Sequence, residues 1–504
     1  MHAASPPWSA TSSLALAVFV LGLVGCRFEP DTWEADIPAI GSSSSPVAVD
    51  LNADGVLDIV LGGGGKEFTE TTCGVVALDG RDGHTLWTRQ GRNQFVGSAI
   101  VRDITGDGTP EVFIGGRSAQ FLALDGRSGT VLWEYLPDSD TTDYLNDTTI
   151  LNFFTPQWIP DQDADGTPDI LTAYGGFVRA VAGDTARPVG YLVVLSGATG
   201  STLARAPMPD GKETYVSPLV IDFGRGPEVI FGSGGENISG NLYRAALADV
   251  LGNDLSRSVV LAEGGEKGFI APPLAVDLTL DGIPEVVVAS VDGRLLAIDG
   301  SNDRTLWTAA PGGDYDTYTM PAWGFFTGDD AVPDLFASFG RGAWPETDFT
   351  LHTLVDGRNG RIVWHDTLGT FQYASPLVAS LTGEGHDDVL LAINERATVD
   401  VLGDPLELLQ NALYVYPSGQ GEPRLAFEVE RGSNLGSTPL LTDLDGDGNI
   451  DIVTAYMSDP RNFYSFVNLR VARQEIHRDV TGVRAGRYMA PDGTGIFPAA
   501  ETAR

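Results

Sequence analysis

The 504-residue chain has only two cysteines, six histidines, and 31 lysines and arginines against 68 aspartates and glutamates. Cys26 and Cys73 permit at most one intrachain disulfide, so a disulfide framework is excluded as the source of stability. The shortage of basic residues leaves a formal net charge of −37, a poor match for nucleic acid or an anionic lipid surface. The histidines are scattered, and none falls in an H-E-x-x-H pattern. There is no G-x-S-x-G elbow, and the glycines at 62–65 are followed by Lys66 and Glu67 rather than by the Lys-Ser/Thr of a phosphate loop. Long apolar runs are missing too. The one candidate, Leu14 to Val24, falls short of the roughly 20 residues that span a bilayer as a helix.

Against these absences stands one abundant pattern. Nine-residue acidic loops recur as DLNADGVLD from Asp50, DITGDGTPE from Asp103, DQDADGTPD from Asp161, DLTLDGIPE from Asp277 and DLDGDGNID from Asp443. Oxygen-bearing side chains occupy positions 1, 3, 5 and 9, with glycine at 6. The sets are Asp50, Asn52, Asp54, Asp58; Asp103, Thr105, Asp107, Glu111; Asp161, Asp163, Asp165, Asp169; Asp277, Thr279, Asp281, Glu285; and Asp443, Asp445, Asp447, Asp451. Ca²⁺ takes six to eight oxygen ligands, and the position-6 glycine supplies the left-handed turn that returns position 9 to the ion. The closing acid at position 9 rather than 12 separates this pattern from an EF-hand. About five Ca²⁺ sites are expected. Weaker copies begin at Asp222, Phe325 and Ser380. The first two are expected to survive only as turns, and the third keeps Thr382, Glu384 and Asp388.

The eight loops start at residues 50, 103, 161, 222, 277, 325, 380 and 443, so the repeat is 48 to 63 residues long. A proline lies four residues before position 1 in five units, at Pro46, Pro218, Pro273, Pro376 and Pro439, where it opens a strand. A second apolar run follows the loop, then a third, then an Asp-Gly turn and a tryptophan, as in VVALDGRDGHTLW. Four short strands per unit predict an all-β fold, a β-propeller of eight four-stranded blades, with seven as the alternative.

The loop half of each unit resembles the FG-GAP/VCBS repeats of integrin-type propellers. The other half is similar to the tryptophan-docking repeat A-x-D-x-x-x-G-x-x-x-W of quinoprotein propellers. Ala77, Asp79, Gly83 and Trp87 match it fully, as do Ala123, Asp125, Gly129 and Trp133. Trp307 and Trp364 end copies with one substitution each. The resemblance implies that each docking tryptophan is buried between blades. It does not extend to a quinone pocket, because the adjacent cysteines of those enzymes are missing; no PQQ is expected.

The segment Leu23-Val24-Gly25-Cys26 after the apolar run is similar to a bacterial lipobox. It implies a signal peptide over 1–25 and a lipid on Cys26, the alternative being an ordinary signal peptide. A free Cys26 would leave a bond to Cys73 open. The division that follows is a linker at 26–44, the propeller at 45–490 and a tail at 491–504. The implied location is the bacterial cell envelope, at the outer membrane or cell surface, held by the lipid alone.

An aromatic sits three residues before a proline at the strand entry in five units: Phe153 before Pro156, Tyr215 before Pro218, Phe269 before Pro272, Tyr318 before Pro321 and Tyr373 before Pro376. This position lies at the start of the innermost strand, on the face opposite the acidic loops. Buried wedges between blades are one reading. The other is a ring of platforms for a sugar or peptide, using Tyr215, Tyr318 and Tyr373, with Trp158 and Trp323 at the rim. The long insertions 62–73, 136–149, 175–189, 312–319, 341–349 and 394–410 are expected on the same face. These features favour a non-catalytic module that binds a protein or glycan. The alternatives are a scaffold resembling the lipoprotein of the outer-membrane barrel-assembly machine, and a quinoprotein or polysaccharide-lyase type of propeller enzyme.

Overall fold

The structure, a computed structural model, describes residues 32–497 except 138–146, 148–149, 177–183, 329, 343–346, 402–403, 428–429, 477–479 and 490–492. Its strands form eight antiparallel sheets, each built mainly from consecutive strands, and together they make an eight-bladed β-propeller. Blade 1 runs Val47–Val49, Asp58–Gly62, Thr71–Leu78 and Thr85–Gly91. Blades 2 to 7 repeat this order, starting at Ile100, Gln157, Leu219, Leu274, Ala322 and Leu377. Blade 8 takes three strands from the C-terminal side, Leu440–Thr442, Ile450–Met457 and Asn468–Ile476. Its outer strand, Trp33–Pro38, comes from the N-terminal side.

That outer strand corrects the reading of 26–44 as a linker. Residues 33–38 pair in register with Arg473 to Asn468 and close the ring. Closure covers the outer edge of Asn468–Ile476 and ties the N-terminal and C-terminal sides of the chain into one blade. The stretch 394–410 is likewise no irregular loop: Asp388–Val401 and Asp404–Tyr416 continue as one long hairpin.

The core is not central but lies between blades. One apolar cluster joins blades 1 and 2, through Val47, Trp87, Val112 and Leu122, and similar clusters follow around the ring. The cluster of Trp33, Ile59, Leu78 and Val471 packs blade 8 on blade 1. The middle strands are buried along their length, as Asp58–Gly62 and Glu111–Gly116 show, because each is covered on both faces by neighbouring blades.

The tryptophans lock adjacent blades. The indole N–H of Trp87 donates to the Gly126 carbonyl of the next blade at 2.7 Å, and its ring lies against Gly129. A Cβ on Gly129 would come within 2.7 Å of that ring, and its φ of +66° also favours glycine. Trp133 repeats the contact with Gly197 and Gly200, and Trp307 with Gly357 and Gly360. Trp33 makes the same bond to Gly80 and packs on Gly83, so it is a fifth aromatic in the series and one that the repeat pattern does not reveal. Trp364 departs from expectation. It is half-buried, stacks edge-on to Tyr416 at 5.2 Å, and donates to no glycine of blade 7 among the described residues. Blade 7 has lost the Asp-Gly-x-x-Gly turn that would receive it.

Candidate functional site

Each acidic loop is folded by its own carboxylates. The position-1 acid takes backbone N–H groups from inside the turn. Asp50 accepts from Ala53 and Gly55, Asp103 from Gly106 and Gly108, Asp161 from Ala164 and Gly166, Asp277 from Gly282, and Asp443 from Gly446 and Gly448. The position-9 acid is buried in every blade, and in the five full loops it accepts the N–H of position 2. These bonds are Asp58 from Leu51, Glu111 from Ile104, Asp169 from Gln162, Glu285 from Leu278 and Asp451 from Leu444. Burial pushes the Asp58 carboxyl up to about 6 and the Glu285 carboxyl up to about 7, against the lowering effect of those N–H groups.

Three loops bring three carboxylates together, with oxygens mutually within 4.8 Å: Asp103, Asp107 and Glu111; Asp161, Asp163 and Asp169; and Asp443, Asp445 and Asp451. In the Asp277 loop Thr279 donates to Glu285, while the Asp277 Oδ1 is buried without a hydrogen-bond partner. An orphaned carboxylate oxygen beside a second buried acid fits a cation. In the Asp50 loop Asn52 points its amide nitrogen at Asp79, 3.1 Å away, and Arg81 lies 2.9 Å from Asp54. Asp165 and Asp447 cap their own loops through Thr167 and Asn449, as Asp54 does through Val56 and Asp281 through Ile283.

At the Asp443 loop the structure supplies a cation of its own. Arg473, fully buried, donates to Asp451 at 2.7 Å, to Asp445 at 2.6 Å and to the Gly80 carbonyl of blade 1 at 3.0 Å. The weak Asp222 loop follows the same logic: Arg225 and Arg244 both meet Glu228. A guanidinium can neutralise a buried carboxylate where a metal would otherwise be needed. Spacing alone identified the acids but not Arg244 and Arg473, which come from other strands; Arg225 sits within the Asp222 loop itself. A further convergence, Asp79, Asp82 and His84, lies in the turn after the third strand of blade 1 and was not singled out by the loop pattern.

On the opposite face, at the mouth of the ring, lies a cavity of about 1060 Å³. Tyr215, Tyr318 and Tyr373 line it and are half-buried, whereas Phe153 and Phe269 at equivalent positions are fully buried. Three of the five positions thus face the cavity and two are buried wedges. Trp158 and Trp323 do not form a rim. Trp158 packs on Phe113 at 4.9 Å, and Trp323 is buried against Phe497 at 5.2 Å. The insertions contribute Lys66 and Glu67, Arg187, and Asp316. Sequence reasoning missed Glu213, Glu236, Lys267 and the 462–467 stretch with Tyr464. Glu213 stands two residues before Tyr215, a local signal that would have found it.

The charges of the wall are mostly paired. Lys267 meets both oxygens of Asp316 at 2.5 and 2.6 Å, Arg117 meets Glu67 at 2.9 Å, and the Tyr215 hydroxyl donates to Glu213 at 3.1 Å. Burial, and then the neighbouring Asp316, raise the Glu236 carboxyl.

Below the cavity the C-terminal segment crosses the channel. Thr481–Ala485 pairs with the innermost strand of blade 7, and Gly486 accepts from Leu441 of blade 8. Gly493 accepts from Gln157 of blade 3, Gly495 from Ala275 of blade 5, and Tyr488 meets Ser217 of blade 4 at 3.3 Å. Part of the stretch read as a tail, 494–497, is therefore an internal strut. Cys73 is buried with a free thiol that burial pushes up to about 11. Cys26 lies outside the described residues. Among the described residues no helix is long and apolar enough to cross a membrane.

With this geometry in hand, the chain can be set beside known proteins. Residues 33–153 match the family described as outer membrane protein assembly factor BamB. The mouse protein FAM234B is 23% identical over 406 residues, covering 74% of this chain and 60% of its own length; the human protein is similar to the same degree. The chain therefore spans about three-fifths of the curated relatives it matches. Among solved structures, a quinohemoprotein alcohol dehydrogenase from Pseudomonas putida HK5 superimposes with a TM-score of 0.51 and 12% identity, over 91% of this chain and 77% of that one. The exotype rhamnogalacturonan lyase YesX gives 0.52 and 13%, over 88% and 75%. At this distance the structural likeness establishes the fold. The family match takes in blades 1 and 2 and the strand Trp33–Pro38 that completes blade 8, and the β-propeller is what the chain shares with these structures.

Proposed function

We propose that the protein is a non-catalytic binding module of the bacterial cell envelope, and that it takes a protein or glycan ligand in the cavity at the mouth of the ring. The observation that carries this reading is the cavity itself, with Tyr215, Tyr318 and Tyr373 held at its wall. Half-buried rings on a rigid scaffold offer contact area at little entropic cost, and the paired ions around them orient polar groups. The acidic loops on the other face serve stability. Asp103, Asp107 and Glu111, then Asp161, Asp163 and Asp169, and the Asp277 loop with its orphaned oxygen would hold Ca²⁺. The Asp50 loop would add a further site, and the Asp443 loop would share its acids with Arg473. The FG-GAP/VCBS likeness and an anchor at Cys26 belong to the same proposal, with no PQQ required.

The test is a glycan and peptide array probed with the wild type and with Tyr215→Ala/Tyr318→Ala/Tyr373→Ala. The triple variant should lose the bound set while keeping its melting temperature within a few degrees. Undiminished binding would move the site elsewhere. A second reading, an outer-membrane assembly scaffold, is favoured by the match of residues 33–153. It predicts co-purification of barrel-assembly components from envelope extracts.

A further inference from the structure

We infer that the cavity wall around Glu236, with Tyr215, Tyr318 and Tyr373, is a subsite for an organic cation: an ammonium group carried by the ligand. The inference rests on the proposed role of the cavity and names the chemistry it selects.

Glu236 lines the cavity beside Glu213 and Asp316. Its neighbours are satisfied from within the protein, Asp316 by Lys267 and Glu213 by the Tyr215 hydroxyl. Glu236 makes neither a hydrogen bond nor an ion pair among the described residues. Glu236 is half-buried on the cavity wall, under the field of Lys267 and Arg187 but bonded to neither, and a donor that carries positive charge would complete its partners there.

The rings are placed for the same guest. Tyr318 and Tyr373 meet at 5.3 Å between centroids with their planes at 52°, forming a corner rather than a flat stack. Tyr215 is fixed on both edges by backbone. A Cβ on Gly176 would lie 2.6 Å from its ring, too close for a side chain, and one on Gly235 would lie at a tight 3.0 Å. Gly235 directly precedes Glu236, which couples the ring and the acid in one rigid turn. A cation within about 6 Å of tyrosine faces is attracted by the ring quadrupole, a term that a neutral ligand lacks. The net charge of −37 also steers cations toward the protein. Lys267 is held by Asp316 and so does not fill the place.

The experiment is isothermal titration of the full chain with fully deacetylated chitotriose, its N-acetylated counterpart, and a trilysine peptide, at low and high salt. At least one amine probe should bind, its acetylated or neutral counterpart should bind at least tenfold more weakly, and salt should weaken the amine complex. Glu236→Gln, which keeps size and polarity, should weaken amine binding by about ten- to a hundredfold. The two amine arms tell an amino sugar from a peptide amine. Equal affinity for amine and acetylated probes, wild-type affinity in Glu236→Gln, or no binding by any amine probe overturns the inference. If array ligands are lost in the tyrosine variant but are neutral and indifferent to Glu236→Gln, the cavity reading stands and the cation subsite falls. If the tyrosine variant binds as the wild type does, the cavity reading itself fails.

Discussion

Replacing Trp87 by alanine tests how the blades are held together. The ring is 7% exposed and packs in the cluster shared by blades 1 and 2. Truncating a buried tryptophan costs about 3–5 kcal/mol through lost burial and the cavity left behind. Part of this is the Gly126 carbonyl, which loses its donor; Trp87→Phe loses the same donor but keeps an aromatic ring in place, so it should cost less than Trp87→Ala. Trp364→Ala is the internal control. That ring is half-buried and docks on no glycine, so its loss should cost less than half as much. The two partners of the dock should also be coupled. Gly129→Ala drives a Cβ to 2.7 Å from the Trp87 ring, so it should be strongly destabilising alone and much milder in the Trp87→Ala background. Urea unfolding followed by far-ultraviolet circular dichroism gives all five values. Equal costs at Trp87 and Trp364, or additive costs for Trp87→Ala and Gly129→Ala, would refute the docking argument.

Four other outcomes follow from the same geometry. Arg473→Ala leaves buried Asp451 and its neighbour Asp445 without their counter-ion; urea unfolding should show a loss of about 3–5 kcal/mol, part of which added Ca²⁺ should restore. Buried His352, held between Ser338 and the Leu368 carbonyl, has its pKa lowered by burial to about 4. Its folded value lies below its unfolded one, so its contribution is present above about pH 6.5 and is lost as pH falls through 4; His352→Gln should flatten the acid limb of a stability–pH curve. Asp58 and Glu285 have the opposite sign. Their folded values of about 6 and 7 exceed the unfolded ones, so their contribution is present below about pH 4 and is lost as pH rises through 6 and 7. In chelator the melting temperature should therefore decline across that window, and the gain on adding Ca²⁺ should be larger at pH 8 than at pH 5, with Mg²⁺ a poor substitute. Cys26→Ser should move the protein from the membrane fraction to the soluble one, as read by fractionation and mass spectrometry of the N-terminus.

The eight blades were legible because both halves of the repeat are local. Asp-rich loops, Asp-Gly turns and a tryptophan at a fixed offset all specify turns and strand ends within a few residues. What could not be read was whatever depends on partners distant in sequence. Trp33 occupies the docking position of blade 8, but its strand lies over 400 residues from its neighbours at 468–473, so no repeat announces it. Arg473 is ordinary in sequence and becomes a buried counter-ion only when its strand crosses the Asp443 loop. The aromatic before each strand-opening proline was visible as a pattern, yet its fate was not. Phe153 is covered by Phe121 and Tyr174, while Tyr215, Tyr318 and Tyr373 remain on the cavity. Glu236 was missed because nothing in the repeat grammar marks it, and its meaning comes from the groups that face it across the cavity.

The central claim is a division of labour between two faces, stability on the acidic-loop side and recognition at the mouth. Peptide-resolved hydrogen exchange tests it most directly, comparing the calcium-loaded protein, the chelated protein and the calcium-loaded protein with its tightest array ligand. The account predicts that the ligand protects segments around 63–67, 213–215, 234–237, 316–318 and 462–467, and that Ca²⁺ protects the loops starting at 103, 161 and 277. Ligand protection centred on the acidic loops, with the mouth segments unchanged, would contradict it.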